Sequence, residues 1–447
     1  MKKIIIAILI FAFVAFLPFF GNKVIKENIK NNLTLLRSYG LSIKKVKDEQ
    51  GYLHTTLGYK FVVKDKEKFL LFLQQFSSSQ LPPYTKSLID EVEFEADITF
   101  NNVPLSDKVD MDLYPLKLPK IMKKELMINS PRLYKSIRKI LDDKAILYHI
   151  RYSVVQKEFN GYIKDFNRNL AFNDTKFDIK YSGIKFQGYG LLLAPEKIRT
   201  NVKNLYVEAK SKNTDAFVSL RNLTTMWDFE DDTTFSSTFK ADFLQIKKKD
   251  FYENFFCELK NFYLQNNSDT QTQKAQFGSK ADVSSVKINY NDYKFKTKDF
   301  KFDMILKNID KDSFLKIADI KKDSDIQTKS LTKNQSDVIY KELLNIIKNG
   351  FEFKIKKFTF SSLYKDNEKL GDFDLTLDLK LKEDKDFIKY QNNPNRILKN
   401  LFLVSNIKLS KKLNDFLVKN IPILNALSVY KKEQNQNIIY DIKYNKR

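Results

Sequence analysis

Alternation of apolar and polar residues with a period of two dominates the chain between residues 146 and 309. Segments such as TKFDIKYSGIKFQGYG, TTFSSTFKADFLQI and YKFKTKDFKFDMILKNI show it, with turns rich in Asn, Asp and Lys between them. Side chains of a strand point alternately to the two faces of a sheet, so this period indicates strands with one buried face. Because the pattern is almost wholly strand-like, the stretch predicts an antiparallel meander.

Helical spacing of apolar residues is confined to short stretches outside this meander. One predicted helix follows the start of the chain and ends at Gly40, and another begins at Pro131 with Ser130 as its N-cap. A third, QSDVIYKELLNIIKNG, ends at Gly350 as its C-cap and precedes a predicted hairpin. We therefore expect an α+β fold: an N-terminal transmembrane helix followed by an extended, mostly antiparallel β-sheet domain with a few helices.

The start of the chain holds a run without charge from Ile4 to Phe20, preceded by Lys2 and Lys3. A helix needs roughly 17–25 apolar residues to cross a membrane, so this run is at the short end of what can span. A cleaved signal peptide needs small residues at positions −3 and −1, and none are placed so. The run predicts an uncleaved anchor, with cleavage as the alternative, and a large domain outside the cytoplasm.

The same patterns divide the chain into predicted regions. Residues 1–22 are the anchor, 23–40 an amphipathic stalk helix, 41–321 a strand-rich extracytoplasmic region, 322–336 a linker or mobile loop, and 337–447 a C-terminal helix-hairpin-helix-strand region.

Charge and cysteine content narrow the classes of partner. The net charge is +23, but it comes almost entirely from scattered lysine, whereas arginine, which recognises phosphates and bases in a bidentate manner, is scarce. This distribution argues against nucleic acid and favours anionic lipid headgroups. Cys257 is the single cysteine, so no disulfide can form within the chain.

Residues that could perform catalysis or hold a metal are few. His54 and His149 have no second histidine or cysteine at metal-ligand spacing, and we interpret both as surface or structural histidines. The acidic segment MWDFEDDTTF lacks the spacing of a calcium loop and is interpreted as a hairpin turn. GYG at 188–190 is interpreted as a bulge. We expect no catalytic residue, no metal site and no cofactor.

Aromatic residues recur on the apolar side of the predicted strands. One interpretation is that they fill a core between sheet and helices, and the alternative is that they line an apolar groove. For the groove, the candidate ligand-binding residues are Phe235, Phe239, Phe300 and Phe302. Further members of the aromatic set are Phe177, Tyr181, Phe353, Phe358 and Phe360.

The order of segments resembles a known family. An N-terminal anchor, the hairpin QGYLHTTL, the segment VSLRNLTTMWDFEDDTTF and the late hairpin beginning NGFEFK resemble the YdgA-like family of bacterial envelope proteins, whose domain has no known function. Its local markers here are Gly51, Gly350 and Gly371, whereas ITFNNVPLSD lacks the His-Gly of many members. The resemblance implies a single-pass protein of the bacterial inner membrane with its large domain in the periplasm, and a homodimer.

Three function classes stay open. The first is a non-catalytic envelope protein that binds lipid or another apolar ligand, and the second is a structural or partner-binding scaffold. The third is a hydrolase of an envelope polymer, which would need a pair of carboxylates that the sequence alone cannot locate.

Overall fold

The computed structural model describes residues 23–74, 81, 85–103, 106–192, 194–231, 233–323, 332–387 and 398–445. The predicted anchor, 1–22, lies outside these residues, as does most of the predicted linker. Within the described part, no helix is both long and apolar enough to cross a membrane. The chain divides into two compact units, Met1–Asn204 and Leu205–Arg447.

Strands dominate both units. They make up 58% of the structure and pair in antiparallel fashion, with a few helices beside them. The predicted antiparallel sheet with a few helices is therefore confirmed.

Most elements of the first unit are short, and its last strand runs past Asn204 into the second unit. Helices are α1 (Lys23–Ser38), α2 (Lys66–Gln74), α3 (Thr85–Leu88), α4 (Lys120–Asn129) and α5 (Pro131–Asp142); strands are β1 (Leu41–Gln50), β2 (His54–Val63), β3 (Glu93–Asn101), β4 (Lys108–Lys117), β5 (Tyr148–Ser153), β6 (Glu158–Ile163), β7 (Phe166–Phe172), β8 (Thr175–Ser182), β9 (Ile184–Leu191) and β10 (Ala194–Lys210).

The core of the first unit lies between α1 and the sheet of β1 to β4. Ile25, Ile29 and Leu33 repeat every four residues, so they share one face of α1. They are buried with Ile98 and Phe100, which alternate with polar residues along β3. The apolar face of α1 thus packs against the apolar face of β3.

The predicted start of α5 is right, but the predicted capping by the Ser130 side chain is wrong. Pro131 does begin α5, but the Ser130 side chain makes no capping hydrogen bond. Its backbone N–H instead bonds to Leu126 O at 2.9 Å and closes α4. Two helices meet at this serine, whose backbone conformation (φ −156°, ψ 67°) is not helical.

Helix α5 covers the hairpin of β7 and β8. Ile140 and Ala145 are buried against Phe166, whose ring stacks on Tyr181 at 5.3 Å. Phe177 lies on the same hairpin, opposite Leu170. Tyr181, from the aromatic set named above, thus packs in a core rather than in an open groove.

The second unit has much longer strands. They are β11 (Asp215–Phe229), β12 (Phe235–Lys249), β13 (Asn254–Asp269), β14 (Lys274–Tyr290), β15 (Tyr293–Asp310), β16 (Phe351–Lys365), β17 (Glu368–Leu381), β18 (Leu401–Ser410), β19 (Lys431–Gln434) and β20 (Asn437–Asn445); helices are α6 (Lys311–Asp323), α7 (Lys333–Asn349), α8 (Lys411–Asn420) and the 3₁₀ helix Pro422–Tyr430.

Successive strands of this unit pair from β11 to β18, and β20 joins β18 to β19. The meander extends beyond the predicted 146–309 because β16 to β18 continue it after the helical pair α6 and α7. The predicted hairpin of β16 and β17 turns at Asp366 and Asn367, both with positive φ.

Helix α7 ends as predicted, since Gly350 at its C-cap has a φ of +71°. Any Cβ here would lie 2.5 Å from Leu381 O. Its start was not predicted: Thr332 and Gln335 form a capping box. Helix α6 was also missed, although Asp310 accepts a hydrogen bond from Ser313 N in its first turn.

Candidate functional site

One face of the second unit's sheet carries apolar side chains on almost every strand, and we call it the apolar face. Directly paired residues of an antiparallel sheet point to the same side, so the register shows which side chains share a row. One row is Thr225, Phe239, Leu264, Ala281, Phe302, Phe358, Leu375, Ile407 and Tyr440; a second is Phe229, Phe235, Ser268, Phe277, Leu306, Phe353, Leu379, Leu403 and Tyr444.

The opposite face is polar. Its rows include Lys240, Lys280 and Lys301, which are exposed. The Lys240 ammonium lies 5.4 Å from the Tyr263 ring centroid and that of Lys280 lies 5.9 Å from the same ring. The alternating sequence predicts such a sheet, with one solvent-exposed polar face and one apolar face.

The first aromatic cluster of the apolar face is formed by Trp227, Phe229, Phe235 and Phe239. The Trp227 ring stacks on Phe229 at 5.7 Å and meets Phe239 edge-on at 5.4 Å. Phe235 lies 6.2 Å from Trp227 and 6.4 Å from Phe229. All four side chains are half-buried. The structure therefore brings predicted residues Phe235 and Phe239 together around a tryptophan.

Trp227 is not among the predicted site residues, because its segment was interpreted only as an acidic hairpin turn. That turn is as predicted: Asp231 accepts hydrogen bonds from the backbone N–H groups of Thr233 and Thr234. The alternation in TTMWDF would have placed Trp227 on the same side as Phe229.

The second aromatic cluster surrounds Phe358. Phe300 and Phe302 contact its ring edge-on at 5.8 and 5.7 Å. Phe373 lies 5.1 Å from Phe358 and stacks on Phe360 at the same distance. The predicted residues Phe300 and Phe302 thus lie together.

The two predicted pairs share one face but lie apart on it. Leu264 and Ala281 lie between Phe239 and Phe302 in the same row. Three strand spacings of about 4.8 Å put the two phenylalanines about 14 Å apart. Between the clusters, Ser279 and Ala281 of β14 are small side chains.

Within the described part of the chain, helices cover parts of the apolar face. Phe314 of α6 lies 4.5 Å from Phe277, and Leu413 of α8 is fully buried against Ile438 and Tyr440. The cluster around Trp227 lies on β11 and β12, and its members stay half-buried.

A row of small polar residues crosses the second unit's sheet, and we call it the polar row. Asn222, Asn261 and Asp299 each adopt a positive φ near +50°, which asparagine and aspartate tolerate better than other residues. The members bond to one another: Asn222 Nδ2 to Asp242 Oδ2 at 2.7 Å, Asn261 Nδ2 to Ser284 Oγ at 3.0 Å, and Ser361 Oγ to Asp299 Oδ2 at 2.7 Å.

The apolar pattern changes phase at the polar row. Before it, Ala241 and Val283 are buried, whereas beyond it Leu244 pairs with Leu259, which pairs with Val286. Left-handed residues inside a strand re-aim the side chains that follow. A cavity of about 340 Å³ opens on the row, lined by Arg221, Asn222, Asp242, Phe243, Lys260 and Asn261.

Comparison with known proteins places this region in a family. A family model described as "Bacterial protein of unknown function (DUF945)" matches residues 159–436. The chain belongs to this family. No curated protein and no solved structure matches the chain. The DUF945 segment contains all four candidate phenylalanines, both aromatic clusters and the polar row.

The histidines lie before the DUF945 segment. His54 begins β2 and is exposed. His149 lies on β5, with Nδ1 at 2.8 Å from Asp112 Oδ1 and Nε2 at 3.6 Å from Asp110, and its ring stacks on Tyr162 at 4.9 Å. Across the described ranges, no group of three or more His, Cys, Asp or Glu side chains is arranged to hold a metal.

Proposed function

We propose that this DUF945 protein is a non-catalytic envelope protein that binds acyl chains of lipid along the apolar face. The continuous rows of apolar side chains carry this proposal. Trp227, Phe229, Phe235 and Phe239 stay half-buried in the folded unit, and contiguous apolar surface left partly exposed is typical of ligand or membrane sites.

The shape of the face supports a long hydrocarbon ligand. At about 4.8 Å per strand, a row from β11 to β20 extends about 38 Å. One leaflet of a bilayer core is about 15 Å deep, so a row is long enough for an extended acyl chain. The aromatic clusters provide ring surfaces that an acyl chain can contact, and the small side chains of β14 leave space for it between the clusters.

The location in the envelope belongs to the same proposal. The uncleaved anchor at residues 1–22 would hold the protein in the bacterial inner membrane, with its large domain in the periplasm, close to a source of lipid. The resemblance to the YdgA-like family supports this location and a homodimer. Scattered lysine supports lipid rather than nucleic acid as the charged partner.

Photo-crosslinking in cells tests the proposal. A photoreactive residue in place of Phe235 or Phe300 in the full chain should capture lipid. The matched control positions are Ser236 and Lys301, which are exposed neighbours on the polar face and should capture little.

Native mass spectrometry of the purified full chain completes the test. If neither Phe235 nor Phe300 captures lipid and the protein carries none, the proposal is wrong. Capture of one defined protein at both positions would instead support the partner-binding scaffold.

A further inference from the structure

Three hairpins of the second unit end at the same edge of the sheet and are bonded together there. Asn291 N donates to Asn254 O at 2.7 Å, and Asn254 N donates to Asn291 Oδ1 at 3.0 Å. Asp366 N donates to Lys294 O at 2.8 Å, and Lys294 N donates to Asp366 Oδ1 at 3.0 Å. These bonds join residues 250–254, 287–296 and 364–368 into one edge, which we call the hairpin edge.

Aromatic side chains project from the hairpin edge into solvent. Phe251 and Tyr252 are 88% and 90% exposed, and Tyr290 and Tyr293 are 48% and 55% exposed. Asp250 Oδ1 accepts hydrogen bonds from Tyr252 N and Glu253 N, so the turn that presents the first two rings is well defined. Exposed aromatic residues with a polar end are typical of the membrane–water interface.

A cavity of about 460 Å³ opens beside these rings. Its described lining is Lys287, Asn289, Lys294, Phe295, Lys296, Tyr364 and Asn367, and contains no carboxylate. The Lys287 ammonium lies 5.1 Å from the Phe256 ring centroid, which holds it near the sheet. Asn289 Oδ1 is buried, with no hydrogen-bond partner in the described part of the chain.

The chemistry of this cavity suits a phosphate group. Three ammonium groups, two amides and a phenol provide many donors, and hydrogen bonds from charged donors to phosphate are among the strong ones. A soluble phosphate would not account for nearly fully exposed Phe251 and Tyr252 on the same edge. A phospholipid surface accounts for both features.

We propose that the hairpin edge docks on an anionic phospholipid bilayer. The lysine cavity holds a lipid phosphate, and Phe251 and Tyr252 insert among the headgroups. This inference rests on the proposed function and deepens it. It identifies the end of the sheet at which a lipid meets the protein.

Full-length chain mixed with vesicles of phosphatidylcholine, with or without phosphatidylglycerol, tests the docking. A photoreactive residue replaces Tyr252, and phospholipid adducts are counted by mass spectrometry. Adducts should form, and should increase several-fold when phosphatidylglycerol is present. The same photoreactive residue at Tyr340, an exposed position on α7, is the positional control and should give few adducts.

A lysine variant and a matched variant separate the cavity from overall charge. Each lysine near an anionic surface contributes about fivefold to affinity, so K287Q/K294Q/K296Q should lower the adduct yield by about tenfold or more. K240Q/K280Q/K301Q removes the same charge from the polar face elsewhere and should change it less than about twofold. Circular dichroism and melting temperature confirm that both variants are folded.

Several outcomes would overturn the inference. Equal loss in the two lysine variants would show a general charge effect, and adducts between protein chains at Tyr252 would show self-association. Loss of the adducts on adding millimolar inorganic phosphate at constant ionic strength would make free phosphate the ligand. Lipid capture at Phe235 or Phe300 without capture at Tyr252 overturns this inference alone. Capture at Tyr252 with no capture at either Phe235 or Phe300 overturns only the proposed function.

Discussion

Tyr114 shows how this protein satisfies a buried polar side chain. It is 1% exposed, and its hydroxyl donates to Glu95 Oε1 at 2.5 Å and lies 3.1 Å from Asp97 Oδ2. Burial and the neighbouring carboxylates raise the pKa of Tyr114. The phenol therefore stays protonated and contacts two carboxylates of one strand.

Glu342 plays a comparable part between α6 and α7. It is 3% exposed and accepts hydrogen bonds from Asn345 Nδ2 at 3.0 Å and Lys316 Nζ at 3.2 Å. Burial by itself raises the pKa of Glu342, but hydrogen bonds from Asn345, Ser313 and Lys316 outweigh it and hold the pKa below the ordinary value of 4.5. The ionised form is thus favoured in the folded protein.

We expect acid to loosen the α6–α7 pair. A carboxylate with a lowered pKa in the folded state contributes stability above its unfolded pKa and loses it as pH falls through the folded pKa. Hydrogen exchange of α6 should therefore accelerate as pH falls below 4.5, after correction for intrinsic rates. E342Q should reduce the free energy of unfolding by about 1–2 kcal/mol at pH 7 and weaken this pH dependence.

Glu383 is exposed and offers a matched control. E383Q should leave both the unfolding free energy and the exchange of α6 unchanged. An E342Q protein with the pH dependence of the wild type would contradict the assignment of this effect to Glu342.

At the scale of the element, the long strands depend on asparagine at the polar row. Asn261 has a φ of +49° in the middle of β13, and its amide bonds to Ser284 of the neighbouring strand. A β-branched residue is strained in this left-handed conformation, whereas glycine adopts it without a steric cost. The left-handed positions of the polar row therefore favour asparagine, aspartate or glycine, which are uncommon inside ordinary strands.

We expect N261V to destabilise the protein more than N261G. Both variants lose the bond to Ser284, but only valine must also adopt left-handed backbone, at a cost of about 1–2 kcal/mol. Urea unfolding measures the difference between the two variants. Equal stability of N261V and N261G would show that the strand can straighten at this position.

At the scale of the whole molecule, the DUF945 match begins within the first unit and ends in the turn between β19 and β20. It leaves out α1 and the sheet of β1 to β4 that α1 covers. The family segment is thus the strand-rich part of the chain, with both aromatic clusters and the hairpin edge.

The predicted N-terminal anchor yields a testable outcome for the whole chain. Because small residues are missing before any cut site, mature protein should keep residues 1–20 and stay in the membrane through salt washes. Terminal peptide sequencing of protein from cells checks this. A mature N-terminus between Pro18 and Lys26 would mean that the segment is a cleaved signal peptide.

Local sequence was sufficient for features that depend on neighbouring residues. Alternation predicted the long strands, the turn of β16 and β17 follows from Asp366 and Asn367, and Gly350 marked the end of α7. Ser130 shows the limit of such reasoning, because the N-cap preference is local but the preceding helix uses the same residue.

The tertiary structure decided which distant side chains meet. The sequence by itself determined that Phe235, Phe239, Phe300 and Phe302 lie on apolar sides of strands. Phe358, the neighbour of Phe300 and Phe302, depends on the pairing of β15 with β16, which are far apart in the chain, whereas Trp227 meets Phe235 and Phe239 within the hairpin of β11 and β12. The lysine cavity of the hairpin edge needs β14, β15 and β16 side by side, although α6 and α7 separate β15 from β16 in sequence.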